Sequence, residues 1–272
     1  MKPIISTLLI YLGFCISLVN AQQVKADKSK VNYDFSCMET DGVSTGINFG
    51  SDIEKEMLDV FGTEVTIQDE KAVGAASLEK IKKEYRFVSE GASLKKLQDI
   101  LGGLVAEIST PKGFQYNIYL LDTTLLNAFT LGGNIFVTSE MYKFCKTDDE
   151  LACIIGHEIA HNELGHIHDQ ISRIKTANSF GTMGAISAMV GQLLATPYNQ
   201  KNELHCDMVG IDLALAAGYD ACQNIVLWER MKLKEGAYNT FTTLFSSHPY
   251  SGKRAVCSRN HLRTNYQKEC SK

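Results

Sequence analysis

The chain reads as an α+β fold, mainly helical, with a small β-sheet whose edge strand borders a cleft. Three observations predict this. From Ser51 onward, apolar residues recur at helical spacing through most of the sequence. Two short stretches, FQYNIYLLD and NIFVT, carry strand-forming residues instead, and Gly132-Gly133 stands directly before the second as a sharp turn. The length of 272 residues, with 44% hydrophobic and 21% charged side chains, fits one globular domain with a sizeable core.

The first 21 residues stand apart. Lys2, the apolar run IISTLLIYLGFCISLV and small residues at Val19-x-Ala21 predict a secretory signal peptide cleaved after Ala21. An uncleaved anchor is the other reading, since the run is nearly long enough to cross a membrane when tilted. Bulky Phe14 before Cys15 argues against lipid attachment there. Residues 22–50 are polar and aperiodic, a linker or extended arm, and 51–272 form the domain.

Within that domain IEKEMLDVF places Ile53, Met57, Leu58 and Phe61 on one helical face. ASLEKIKKEYRFV and SLKKLQDILGGLVAEI predict two more amphipathic helices, with Ser77 and Ser93 near their starts. Pro111-Lys112-Gly113 breaks the chain before the first strand. Thr147-Asp148-Asp149-Glu150 is a capping box opening a helix that runs through ELACIIGHEIAHNELGHIHDQI. Residues 177–196 are weakly apolar, with Phe180, Met183, Ile186, Val190 and Leu193 at helical spacing. Asn178, Ser179, Thr182, Ser187, Gln192 and Thr196 make membrane insertion poor, so a surface or lid helix is expected. NQKNELHCDMVGIDLALAAG is a helix stopped at Ala217-Gly218; ACQNIVLWERMKLKEG is another, and the last runs from SSHPYSGKR to about Leu262.

The net charge of −4 gives no basic surplus, so nucleic acid is not an expected partner. No firm membrane span is expected after signal cleavage; peripheral membrane association stays open, and the sequence names no oligomeric state. Eight cysteines are present, and none forms a CxxC pair. In an oxidising compartment some should pair. Cys257 with Cys270 is the preferred bridge and Cys145 with Cys153 is geometrically possible. Loss of Cys15 with the leader leaves at least one thiol unpaired.

The chemistry concentrates in IIGHEIAHNELGH. His157 and His161, four apart on one helical face, can grip one zinc ion, and Glu158 can reach a water beside it. Leu151, Ile154, Ile155, Ile159 and Leu164 would bury the helix and leave this trio facing a common cleft. A zinc hydrolase needs a third protein ligand. The metzincin pattern would require glycine and histidine where Leu164 and Ile167 stand. His166 lies about 140° around a continuous helix from His161, which makes it a structural or rim residue. NELHCDMVG offers Glu203 as the ligand and Asp207 on the same face to orient a ligating imidazole. Gly210 would let the two helices approach closely.

With LLNAFTLGGNIFVTSEM, GHEIAHNELGH, ELHCD and SHPYSGKR together, the stretch from Ser51 to Leu262 resembles the HtpX-type and CAAX-prenyl-endopeptidase-type zinc metallopeptidases, metallopeptidase family forty-eight. The resemblance implies a zincin-like metallopeptidase domain with one Zn2+ per chain. It implies cleavage of peptide bonds in protein or peptide substrates, misfolded or envelope proteins among them, in the periplasm or outside the cell. It also implies that His248, in the His-Pro element, stabilises the oxyanion or gates the metal, and that Arg254 positions it or binds substrate backbone. Cys206 departs from the alanine usual at that place. Zinc held by His157, His161 and Glu203 would bring a water to a pKa of about 7, for Glu158 to deprotonate. Substrate would join NIFVT as an added strand, along Asn134, Ile135, Phe136 and Val137, with Asn127 nearby. Two other readings are a chaperone or assembly factor with a mostly latent zinc site, and an aminopeptidase, for which no acidic anchor is marked.

Overall fold

The computed structural model describes residues 31–38, 64–178, 183–234 and 251–270. The expected leader, most of the expected 22–50 arm, the helix expected at IEKEMLDVF and His248 lie outside the described residues.

The described elements run α1 (Ile67–Glu84), β1 (Arg86–Val88), α2 (Ala92–Val105), β2 (Asn117–Asp122), β3 (Ala128–Leu131), β4 (Asn134–Thr138), α3 (Ser139–Phe144), α4 (Asp148–Glu163), α5 (His166–Asn178), α6 (Met183–Ala195), α7 (Gln200–Ala216), α8 (Cys222–Lys232) and α9 (Ser251–Tyr266). The expected class, mainly helical with a small sheet, holds. α1 starts about ten residues before Ser77, because Thr66 and Asp69 make a reciprocal capping box there.

The sheet order is β1-β2-β4-β3, with β2 and β4 parallel and both outer pairs antiparallel. This corrects one expectation. NIFVT is β4, an inner strand with Asn134, Ile135, Phe136, Val137 and Thr138 all buried, so it cannot take an added strand. The edge at the cleft is β3, whose four residues are too few to display a period. Gly132 and Gly133 make the hairpin between them, both at positive φ (57° and 89°), a conformation glycine adopts without steric penalty. Phe129 of β3 stacks on Phe136 of β4 at 4.9 Å, and Phe136 on Tyr119 of β2 at 5.4 Å, so aromatic rings tie the strands across one face.

Helix α4 is the centre of the domain. Every residue from Glu150 to Asn162 is buried, because α2, β3, α7 and α8 surround it. Thr147 caps it by accepting from the Glu150 amide. The other half of the expected box is absent: the Glu150 carboxylate accepts instead from the Lys146 amide (2.6 Å) and from Arg230 (2.5 and 2.9 Å). α4 also ends sooner than expected. Gly165 takes φ +80°, so α5 starts afresh at His166 rather than continuing the same helix.

α4 and α7 cross at two glycines, as Gly210 led us to expect. A Cβ at Gly210 would stand 2.7 Å from the His157 amide nitrogen, and one at Gly156 would stand 2.9 Å from the Gly210 carbonyl oxygen. Gly210→Ala is therefore expected to destabilise the fold by about 1–3 kcal/mol through backbone overlap. Gly102→Ala in α2, where nothing lies within 4 Å of the new Cβ, should instead gain about 0.5–1 kcal/mol. Urea unfolding of the two variants checks the contrast.

Among the described residues two disulfides are formed, Cys37–Cys257 and Cys222–Cys270, and Cys145, Cys153 and Cys206 are free and buried. The expected Cys257–Cys270 and Cys145–Cys153 bridges are thus both corrected. Cys257 and Cys270 belong to different contacts: Cys257 on α9 faces the Leu204 and Met208 side of α7, where the 31–38 segment lies across it. Cys270 turns back to the start of α8. No helix among the described residues is long and apolar enough to cross a membrane. Of the expected 177–196 surface or lid helix, the part Met183–Ala195 is described as α6, whose Met189, Val190 and Leu193 are buried against Val73, Ile167 and Ile171; Phe180 lies outside the described residues.

Candidate metal centre

The motif histidines and the α7 carboxylate converge. His157 Nε2 lies 3.0 Å from His161 Nε2. The Glu203 carboxylate lies 3.5 Å from the first (Oε2) and 3.4 Å from the second (Oε1). A tetrahedral ion with metal–ligand bonds of about 2.0–2.1 Å requires ligand atoms about 3.3 Å apart. If both imidazole nitrogens present their lone pairs here, they and the buried carboxylate repel one another, and a cation between them removes that repulsion. The donor set therefore fits a divalent ion. His157, His161 and Cys206 also offer ligand atoms within 4.8 Å of one another, so a sulfur stands beside the nitrogen pair.

Asp207, one turn beyond Glu203, places Oδ1 3.1 Å from His157 Nδ1. Burial opposes its ionisation, but the Arg254 charge and hydrogen bonds, with His157, outweigh burial and hold its carboxyl below the usual range. Arg254 donates from Nε to Oδ2 (2.7 Å) and from Nη2 to Oδ1 (2.7 Å), and its Nη1 is 2.8 Å from Glu203 Oε2. Its Nη2 also sits 3.0 Å from His157 Nδ1, so Oδ1 of Asp207 is shared between guanidinium and imidazole. The guanidinium carbon is 3.5 Å from the Trp228 ring centroid. Burial would lower its pKa; Asp207 and Glu203 prevail and keep it raised.

This overturns one expected role. Arg254 is 0% exposed, closed in by two carboxylates and a ring, so it cannot bind substrate backbone. It is the buried counter-charge of the site. Whether it also touches His248 falls outside the described residues.

Glu158 is buried on α4 and lines a cleft of about 380 Å³. Its lining also includes Asn127, Phe129 and Thr130 at the edge strand, Leu194 of α6 and Tyr198 beyond it. One residue fixes the strand against the helix: Asn162 accepts from the Gly133 amide (3.0 Å) and donates to Thr130 Oγ1 (2.8 Å) and to the Glu158 carbonyl (2.9 Å). Of the expected substrate-binding residues, Asn127 borders this cleft. Asn134, Ile135, Phe136 and Val137 do not, being covered by β2 and β3.

Three neighbours of the site were not singled out for it. The Tyr198 ring stacks on His161 at 4.0 Å. His166 Nδ1 stands 3.2 Å from His161 Nδ1 and 3.3 Å from Cys206 Sγ. Trp228 lies under Arg254. For His166 the signal was the preceding glycine, which ends the helix and invalidates a helical-wheel argument across it.

An HExxH helix crossed by a second helix that brings a carboxylate to the same point defines a metallopeptidase-like centre on a helical α+β domain. The sequence pattern of Peptidase family M48 matches residues 92–257, and the chain belongs to that family. Among similar proteins, the "Mitochondrial metalloendopeptidase OMA1" of Schizosaccharomyces pombe is 27% identical over 204 residues, covering 70% of this chain and 60% of its own. "Metalloprotease LoiP" of Escherichia coli is 26% identical over 161 residues, 54% of this chain and 62% of its own. The "Beta-barrel assembly-enhancing protease" of the same bacterium is 22% identical over 221 residues, 73% and 45% respectively. The chain thus spans less than two thirds of the length of each of these relatives.

Proposed function

We propose that this chain is a zinc-dependent metalloendopeptidase that acts on proteins in an exported compartment. One observation carries the reading: His157 Nε2, His161 Nε2 and the Glu203 carboxylate meet at 3.0–3.5 Å, with Glu158 on the same helix opening into the cleft. His157, His161 and Glu203 would hold the ion, and two nitrogens with one oxygen suit zinc. When bound, zinc polarises a peptide carbonyl and brings water to a reactive pKa near 7.

The chain's own residues supply the rest. Glu158 takes the proton of the attacking water and returns it to the leaving amine. Asp207 holds His157 in the tautomer whose Nε2 lone pair is free, and Arg254 balances the carboxylate charge. An extended substrate adds along β3 from Asn127 to Thr130, and the Phe129 and Leu194 side of the cleft accepts an apolar side chain. His248 is the proposed oxyanion donor, on the family resemblance.

Two disulfides favour an oxidising location, in line with the leader-like first 21 residues. The relatives' names favour proteolysis over a chaperone role, and the family resemblance extends the substrates to misfolded or envelope proteins. The test is a casein digest by purified protein whose metal has been counted. One zinc per chain is expected, with fragments that vanish on chelation and return with added zinc. Cleavage unaffected by chelator would overturn the reading.

A further inference from the structure

Each metal-facing imidazole needs its other nitrogen satisfied. With Nε2 of both rings turned inward, the ligating form of each is neutral and carries its proton on Nδ1, which must find an acceptor. For His157 that acceptor is Asp207. For His161, Nδ1 faces Nδ1 of His166 at 3.2 Å.

We propose that His166 is a positioning residue: its Nδ1 accepts the Nδ1–H of His161 and so aims the Nε2 lone pair of His161 into the ligand cage. This rests on the metallopeptidase reading above. His166 is buried and is carried back to the site by the left-handed turn at Gly165, φ +80°. To accept at Nδ1 it must itself be neutral with its proton on Nε2. The two metal-facing imidazoles are then held differently, one by a charged carboxylate and one by a neutral ring.

Cys206 adds a feature that the family resemblance does not supply. Its Sγ is 3.3 Å from the same His166 nitrogen. An imidazole nitrogen has a single lone pair, so the thiol hydrogen competes with the His161 N–H for it. Where the resemblance leads one to expect alanine at this place, no competitor exists. His166 Nδ1 is thus the acceptor that faces His161, and the Cys206 thiol contests it.

The test measures metal affinity directly. Metal-free wild type, His166→Ala, His166→Phe, His166→Asn and Cys206→Ala are titrated with Co2+ followed by its visible absorption, and with Zn2+ against a chromogenic chelator. His166→Ala and His166→Phe are expected to lose about 10–100-fold in affinity. Phe fills the volume of the ring, so its loss reports the acceptor rather than packing. His166→Asn should recover most of the affinity, since Asn Oδ1 can accept from much the same place as Nδ1. Cys206→Ala removes the competing donor, and a loss as large as that of His166→Ala would make the sulfur a ligand in its own right and overturn the proposal. Unchanged affinity in His166→Ala, or an Asn variant as weak as the Ala one, overturns the proposal. A wild type that takes up no metal is a different result: it sinks the metallopeptidase reading, and this proposal with it.

Discussion

Glu158→Gln is expected to keep one zinc per chain and the wild-type fold while cutting casein cleavage by about 10²–10⁴-fold. The substitution preserves shape and hydrogen-bonding reach and removes only the ability to take a proton. Glu158 lines the cleft, while the donors that meet at 3.0–3.5 Å belong to His157, His161 and Glu203, so metal content should not change. Because the carboxylate acts on the proton in flight, kcat should fall and KM should stay near wild type. Metal analysis, thermal unfolding and steady-state kinetics on one preparation give the three readouts. A purified variant cutting at the wild-type rate would remove Glu158 from the mechanism. A variant that had lost its metal would move Glu158 from proton transfer into the metal cage.

How much of this could be read from the chain alone depended on the range of each interaction. The spacing of His157 and His161, and of Glu203, Asp207 and Gly210, is one or two helical turns, so local geometry already put each set on one face. That the two faces meet followed from Gly210, whose missing Cβ marks a close crossing. Leu204 and Met208 beside Glu203 indicated a buried carboxylate, and it is buried. What stayed hidden was set by tertiary structure. β3 has four residues and is specified by its hairpin partner rather than by a period of its own, so the free edge was assigned one strand too far along. His166 was judged by angle on a helix that Gly165 interrupts. The Cys37–Cys257 bridge joins residues 220 apart in sequence, and no local pattern reports such a pairing. The resemblance gives Arg254 two roles, positioning His248 or binding substrate backbone, and sequence spacing does not distinguish a buried cation from an exposed one.

That buried cation gives the second large effect. Arg254→Met is expected to destabilise the metal-free protein by about 3–5 kcal/mol, because it strands two buried carboxylates without a counter-charge. Methionine fills much of the volume and keeps an apolar contact with Trp228, so the loss is chiefly electrostatic. Arg254→Lys should fall between the two: it retains the charge, but a lysine cannot make the forked contact that now reaches both Glu203 and Asp207. The dependence on metal separates this account from a packing defect. A divalent ion ligated by Glu203 supplies positive charge where the guanidinium supplied it, and it binds the native state preferentially. The stability gap between wild type and Arg254→Met, measured by urea unfolding, should therefore narrow when zinc is added. If the gap were the same with zinc and without it, Glu203 and the metal would not share charge, and the carboxylate would have to be struck from the ligand set. If Arg254→Met were as stable as wild type in metal-free buffer, the two acids would have to be protonated there, and the counter-charge role of Arg254 would fall.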